Sequence, residues 1–262
     1  MAELVVVVKI VASVALVLAL SLVAEYVSPR AAGILAGYPL GAAIALFFVG
    51  LEIGPEYAGH GAVYTMMGLV ATQAFVYCYF KANLVFKHYC IPLSSAAAMA
   101  GYALVVWLLH FVPRNTILAV CIPIASIFVF VHLFKEIRNV GIRQRVKLSR
   151  RVLIFRAVLA AVTILIITGI ARSVGSAWTG LFSAFPITLF PLILIVHITY
   201  DAQHVHTIIK NFPLGLGSLI AYSLTVSLGY PRVGIYWGTL LGFTVATAYL
   251  LAFRFVLDRM GR

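Results

Sequence analysis

Continuous apolar runs fill most of this 262-residue chain and limit what it can fold into. A helix needs about 20 mainly apolar residues to cross a bilayer, whereas a membrane β-strand alternates apolar and polar residues over about ten positions. The apolar fraction is 63% and the charged fraction is 10%, far from the roughly half apolar, quarter charged composition of a soluble domain. The sequence therefore predicts an all-α polytopic membrane protein and excludes a water-soluble globular domain.

Charged residues, Pro and Gly mark the boundaries of nine predicted membrane-crossing helices. These cover residues 4–27, 30–52, 57–80, 90–112, 115–134, 152–171, 176–199, 205–229 and 232–256. The chain starts with Met-Ala-Glu, which lacks the basic n-region of a signal peptide, so we expect the first helix to be retained. The expected fold is a transmembrane bundle of these nine helices.

The formal net charge of +12 is distributed unevenly over the predicted loops. One side of the predicted membrane collects fourteen basic residues, seven of them within 135–151, and the other side has Arg114, Arg172 and Arg232. The positive-inside rule then predicts an N-terminus outside and a cytoplasmic C-terminus. The location we expect is the inner (plasma) membrane. Insertion explains the charge without nucleic acid, and the 135–151 connection also has the density of an anionic-lipid contact.

An internal repeat appears when the chain is shifted by 147 positions. The shift pairs Lys9 with Arg156, Gly33 with Gly180, Pro39 with Pro186, Val49 with Val196, Gly68 with Gly215 and Ala74 with Ala221. Because five predicted crossings separate the two starts, the second unit enters the membrane from the opposite face. We expect a first repeat in 1–114, a linking helix and basic loop in 115–151, and an inverted second repeat in 152–262.

Each unit carries a basic residue followed by Gly after twenty-four positions and by Pro after six more. The first unit reads Leu-Ala-Gly-Tyr-Pro at 35–39, with Glu52, Ile53 and Gly54 beyond it, and the second reads Phe-Ser-Ala-Phe-Pro at 182–186. This pattern resembles the small bacterial inner-membrane GlpM family. The resemblance implies two such units fused head to tail around one extra helix. The second unit departs from it, with Thr199, Tyr200 and Asp201 where the acidic residue and Gly are expected.

The predicted helices 30–52 and 176–199 are interrupted by Pro and Gly at matching depths. Proline removes a backbone donor, and the freed polar groups need partners even in hydrocarbon. Such interruptions in corresponding helices of two repeats indicate a midplane binding site, and a packing kink is the alternative. The predicted substrate contacts are Gly37, Tyr38, Pro39, Gln73, Pro186, Thr188 and Ser218.

Ionisable residues inside or beside the predicted helices give a second candidate site, because charge in a bilayer is costly. Lys9 and Glu52 fall near the predicted outer face, and Arg156 and Asp201 near the inner face. Each half thus combines an acid with a base, which predicts ion or proton coupling through these four residues. Snorkelling of the two basic side chains to the headgroups is the alternative.

His197, Asp201 and His204 occupy positions i, i+4 and i+7. On one continuous helix these three lie on a single stripe, and imidazole with carboxylate suits a transition metal. If the helix ends between Tyr200 and His204 the stripe is lost, and the histidines are then solvated at a turn. No other cofactor is expected.

The function predicted from these features is secondary transport of a small molecule or ion by alternating access around Pro39 and Pro186. An enzyme is less favoured, since the chain has no GxxxxGK[ST], GxGxxG or GxSxG sequence. Two alternatives stay open: a membrane-embedded metalloenzyme and an accessory subunit of envelope-polymer synthesis. The expected partners are membrane lipids and the small solute, and a homo-oligomer is compatible with the sequence.

Overall fold

The computed structural model describes residues 29–86, 90–140 and 150–259, together with six helical residues between positions 7 and 15. Its helices are α1 Pro29–Ala36, α2 Leu40–Ile53, α3 Pro55–Val85, α4 Cys90–His110, α5 Thr116–Leu133, α6 Arg150–Ser183, α7 Leu189–Thr199 and α8 Ala202–Arg259. Over these residues the chain has no strand. The all-α prediction is confirmed. Most of the predicted helix 4–27, with Lys9, lies outside the described residues.

Within the described residues, six helical segments are long and apolar enough to cross a membrane. They are Pro29–Ile53, Pro55–Val85, Cys90–His110, Thr116–Leu133, Ala161–Ser183 and Ala202–Phe253, and Leu189–Thr199 is a shorter apolar helix. Long apolar helices of this kind confirm a multi-pass membrane protein.

Two of the long helices fold back on themselves at a glycine. Gly175 in α6 has φ 79° and Gly234 in α8 has φ 80°, values at which an L side chain is strained. In α8, Gly242 packs against the ring of Tyr222 and Gly217 against Tyr249. Residues 235–259 therefore run antiparallel to residues 202–233. The predicted separation of helices 205–229 and 232–256 corresponds to this reversal.

Helix α3 is the centre of the bundle and contacts α2, α4, α5, α6 and α8. Small residues along it let neighbouring backbones approach closely, which is how membrane helices gain packing energy. The clearest case is Gly61, since a Cβ on Gly180 of α6 would overlap its carbonyl oxygen. The aromatic core beside α3 includes the buried rings of Phe75 and Tyr79.

The bundle has two ends that differ in charge. At one end Lys210 of α8 donates hydrogen bonds to the backbone carbonyls of Lys135 and Ile137, just after α5. We call this the basic end. At the other end Arg172 Nη2 donates to the carbonyl oxygen of Glu52 at 2.8 Å, close to the turns at Gly54 and Gly175. We call this the glycine-turn end.

Candidate functional site

Two apolar helical segments are broken in the middle. The first break separates α1 from α2 at residues 37–39, and the second separates α6 from α7 at residues 184–188. Prolines 39 and 186 lie in the breaks, where a residue without an N–H cannot continue the helical hydrogen bonds. The predicted interruptions of helices 30–52 and 176–199 are thus real breaks, and each crossing consists of two shorter helices.

The backbone follows the same path through both breaks. At the first break, four backbone N–H groups donate to backbone carbonyl oxygens: Gly37 to Ile34, Tyr38 to Leu35, Leu40 to Tyr38, and Ala43 to Pro39. At the second, Ala184 N–H donates to Leu181, Phe185 to Phe182, Ile187 to Phe185 and Phe190 to Pro186. Every bond of the first set recurs 147 residues later. The first two bonds of each set tighten the last helical turn before the break.

The two breaks lie against each other around one small cavity. Its volume is about 30 Å³, room for about two water molecules. Of the predicted substrate contacts, Gly37, Tyr38, Pro186 and Thr188 line it. The others, Pro39, Gln73 and Ser218, are absent from its lining.

Hydroxyl groups satisfy the carbonyls that the breaks release. Thr72 Oγ1 donates to the Ala184 carbonyl at 2.6 Å, and Ser218 Oγ donates to the Gly37 carbonyl at 3.2 Å. Thr188 Oγ1 donates to the Ala36 carbonyl at 3.4 Å. An unpaired carbonyl in hydrocarbon costs several kcal/mol. These three side chains therefore stabilise the broken backbone, and two of them also line the cavity.

Close glycine contacts hold the breaks together. A Cβ on Gly37 would lie 2.5 Å from the carbonyl carbon of Gly215, and a Cβ on Gly68 would lie 2.6 Å from the Ala184 Cβ. The two contacts correspond under the shift of 147 positions, which pairs Gly37 with Ala184 and Gly68 with Gly215. The same holds for the contact of Gly33 with Ile208 and that of Gly180 with Gly61. The cavity is thus framed by backbone approaching backbone on both sides.

The lining of the cavity is mainly apolar, with four hydroxyl groups and no charged side chain. Its polar side chains are the hydroxyls of Tyr38, Thr72, Ser183 and Thr188, and none of the lining residues is Asp, Glu, Lys, Arg or His. A site for Ca²⁺ or Mg²⁺ would include carboxylates. The lining therefore suits a small solute that is neutral or carries a single charge.

Gln73 points away from the cavity. Its Nε2 donates to Ser126 Oγ of α5 at 2.6 Å, and its Oε1 has no partner among the described residues. Sequence reasoning chose this amide and missed the neighbouring Thr72. The spacing Gly61, Thr65, Gly68, Thr72 could have found it, because residues three and four apart share one face of a helix.

Only part of the predicted coupling set falls within the described structure. Lys9 lies outside the described residues, and so does the side chain of Arg156. Glu52 lies in the last turn of α2 at the glycine-turn end. The pairing of Lys9 with Glu52 and of Arg156 with Asp201 stays a prediction.

Asp201 caps the start of α8. Its Oδ1 accepts hydrogen bonds from the backbone N–H groups of Gln203 at 2.9 Å and His204 at 3.1 Å, and it contacts His204 Nδ1 at 2.7 Å. Partial burial raises the pKa of Asp201, but these bonds to His204 and Gln203 outweigh it and hold the pKa below its usual value. With 54% of its side chain exposed, the carboxylate is a solvated helix cap.

The predicted metal ligands do not share one stripe. Helix α7 ends at Thr199, and the chain turns at Tyr200 before α8 begins. His197 Nδ1 instead contacts the hydroxyl of Tyr79 at 2.8 Å. In the part of the chain that the structure describes, no three His, Cys, Asp or Glu side chains are placed to hold a metal ion. The predicted stripe required one continuous helix from His197 to His204, and the chain does not form that helix.

Comparison with protein-family models, with curated proteins and with solved structures finds no match for this chain. The function must therefore be inferred from the geometry of the site itself.

Proposed function

We propose that this protein is an integral membrane secondary transporter that moves a small solute by alternating access, with the cavity between the two breaks as its substrate site. The observation that carries the proposal is the meeting of two discontinuous helices, from separate parts of the chain, around one cavity. Secondary transporters bind substrate and coupling ions near the bilayer midplane at such discontinuous helices.

The helix directions support an inverted repeat. Along the first crossing, Gly33 contacts Ile208 and Gly37 contacts Gly215, and Gly50 contacts Ile235 at the reversal that ends the first arm of α8, so α1 and α2 run parallel to that arm. Along the second, Gly180 contacts Gly61 and His197 contacts Tyr79, so the end of α6 and α7 run parallel to α3. Because α2 reverses into α3 at Gly54, α2 and α7 are antiparallel. Repeats in 1–114 and 152–262, joined by 115–151, would have this arrangement.

The hydrogen bonds and glycine contacts that recur after 147 positions also favour two units of one design. Alternating access in such proteins is largely the rocking of one repeat against the other around a fixed site. Here the rocking would be centred on the breaks at Pro39 and Pro186. The small, uncharged cavity favours a solute of a few heavy atoms or a monovalent ion.

The surroundings of the site complete the proposal. We place the basic end in the cytoplasm of a cell whose inner membrane holds the protein, because cytoplasmic loops carry the excess of Lys and Arg. Lys210 holds the start of the 135–151 connection against α8, which would present its basic side chains to anionic lipid. Ion or proton coupling through Lys9, Glu52, Arg156 and Asp201 belongs to the same proposal.

Thiol accessibility tests alternating access without knowledge of the substrate. Cys78 and Cys121 are replaced by Ser, and Cys90, whose Sγ lies 3.8 Å from His197 Nε2, is replaced by Ala so that no new hydroxyl donor is introduced there. Thr188 in the cavity lining is replaced by Cys. In vesicles of known orientation, a membrane-impermeant thiol reagent should label Thr188→Cys from either side. Ser126→Cys, behind Gln73 and away from the cavity, is the matched control and should react slowly from both. Labelling of Thr188→Cys from one side alone, or from neither, would contradict alternating access.

A further inference from the structure

At the basic end, one amide side chain joins three helices. Asn83, in the last turn of α3, has its Oδ1 2.8 Å from His206 Nε2 of α8 and its Nδ2 3.3 Å from His197 Nε2 of α7. The hydroxyl of Tyr79, one turn earlier on α3, lies 2.8 Å from His197 Nδ1. We call these four residues the Asn83 bridge.

The hydrogen bonds of the bridge have a fixed direction. An amide oxygen only accepts and an amide nitrogen only donates, so His206 Nε2–H donates to Asn83 and His197 Nε2 accepts from it. A neutral His197 then carries its proton on Nδ1 and donates to Tyr79. Each of these groups is at least partly buried, and Tyr79 is completely so. The bridge is therefore a tertiary connection, distinct from the hydrogen bonds within each helix.

Two helices, α3 and α7, link the bridge to the cavity. Helix α7 starts at the second break and ends two residues after His197. Helix α3 carries Thr72, which donates to the Ala184 carbonyl in that break. Eleven residues of helix separate Thr72 from Asn83, a rise of about 16 Å. The bridge thus fixes the far end of α7 to α3 between the cavity and the basic end.

The corresponding positions at the glycine-turn end have different chemistry. A shift of 147 takes Asn83 to Tyr230, His197 to Gly50 and His206 to Gly59. There a Cβ on Gly59 would lie 3.2 Å from the Pro231 ring, and one on Gly50 would lie 3.2 Å from Ile235. The Tyr230 hydroxyl bonds to Thr239 in the other arm of α8. At these positions the glycine-turn end packs glycine against apolar side chains, whereas the basic end has a side-chain hydrogen-bond network between helices.

We propose that the Asn83 bridge is the gate between the cavity and the basic end. This inference rests on the proposed transport function. Breaking the bridge frees the end of α7 and the start of α8 from α3, and opens the cavity toward the basic end. The glycine-turn end is unaffected, because its closure uses none of these side chains. Asn83 is a positioning residue: it acts on the transport path through α7 and α8.

The test uses the Thr188→Cys protein and adds Asn83→Leu, which keeps the number and branching of the side-chain heavy atoms and removes both hydrogen bonds. Each bond lost shifts a closed-to-open equilibrium severalfold, so labelling from the basic end should become about tenfold faster. Labelling from the glycine-turn end should not accelerate. The matched control is Asn139→Leu: Asn139 Oδ1 accepts from Asn211 Nδ2 of α8 at 3.0 Å at the same end, so the change removes a hydrogen bond there and leaves those of the bridge in place.

A second variant covers the case in which Asn83→Leu fails to fold. His206→Phe keeps the edge-on ring contact with Phe80, at 4.8 Å between centroids, and removes the bond that His206 donates to Asn83. It should accelerate labelling from the basic end severalfold, less than Asn83→Leu does.

The outcomes separate the gate from the transport function. Unchanged labelling from the basic end in Asn83→Leu or His206→Phe, with Thr188→Cys still labelled from both sides, overturns the gate and leaves transport standing. Labelling from the basic end that appears only when the bridge is broken supports the gate and contradicts alternating access. Equal acceleration in Asn139→Leu would also overturn the gate, because the effect would then be general loosening of this end.

Discussion

Replacing Thr72 by Val tests whether the breaks depend on their hydroxyl partners. Valine has nearly the same shape, so the change removes the 2.6 Å hydrogen bond to the Ala184 carbonyl and little packing. Thr72 is 2% exposed, so water has little access to the carbonyl that loses its partner. A buried hydrogen bond contributes about 0.5–1.5 kcal/mol net, and an unsatisfied buried group costs about 1–3 kcal/mol. Measured bonds between membrane helices average about 0.6 kcal/mol. We therefore expect a loss of about 1–2 kcal/mol in the free energy of unfolding.

The assay is equilibrium unfolding in mixed micelles, followed by Trp178 fluorescence. Trp178 stacks on His110 at 4.4 Å between ring centroids, so its emission should change when the bundle separates. Thr244→Val is the matched control: the Thr244 hydroxyl is exposed and bonds only to Leu240 in its own helix. Thr72→Ser keeps the hydroxyl and should lose less stability than Thr72→Val. Equal losses in Thr72→Val and Thr244→Val would refute the idea that hydroxyls stabilise the breaks.

Two further predictions use the same unfolding measurement. Gly234→Ala forces an L side chain to φ 80°, which should lower the free energy of unfolding by about 1–2 kcal/mol. Gly169→Ala, in α6 with equally open surroundings, is the control and should not destabilise the protein. Similar losses of stability in both variants would exclude the turn as the cause. Asp201→Asn removes the charge but keeps a helix cap. Because the folded pKa of Asp201 is below the unfolded value of about 3.9, the charge stabilises the protein above that pH. The difference in the free energy of unfolding between the original protein and Asp201→Asn should therefore shrink as pH falls below about 4. If that difference stayed constant down to about pH 2, the Asp201 carboxylate would not be stabilised by folding.

The helices and their breaks could be predicted because each depends on local sequence. Apolar runs locate the crossings, and Pro39 and Pro186 interrupt them wherever the rest of the bundle lies. Gly234 was harder to place, since Pro231 and Arg232 give the stronger boundary pattern in the sequence. The structure reverses the chain three residues after the proline, at the residue that tolerates a positive φ.

The polar contacts could not be predicted to the same extent, because they depend on which side chains of different helices meet. Gln73 and Thr72 are neighbours in sequence, and only the rotation of α3 decides which one faces the cavity. His197 was grouped with Asp201 by spacing, although the helix between them ends at Thr199. The hydrogen-bond partners of His197 are Tyr79 and Asn83, which lie 118 and 114 residues away along the chain. Nothing in the sequence around Asn83 connects it with His197.

The three glycine reversals shorten the connections between described helices on one face of the bundle. Turns centred on Gly54, Gly175 and Gly234, with residues 111–115 between α4 and α5, make its connections short. On the opposite face, residues 134–149 separate α5 from α6. Among the connections between described helices, this longest one on the opposite face is therefore the place to insert a fusion partner that enlarges the particle for electron microscopy.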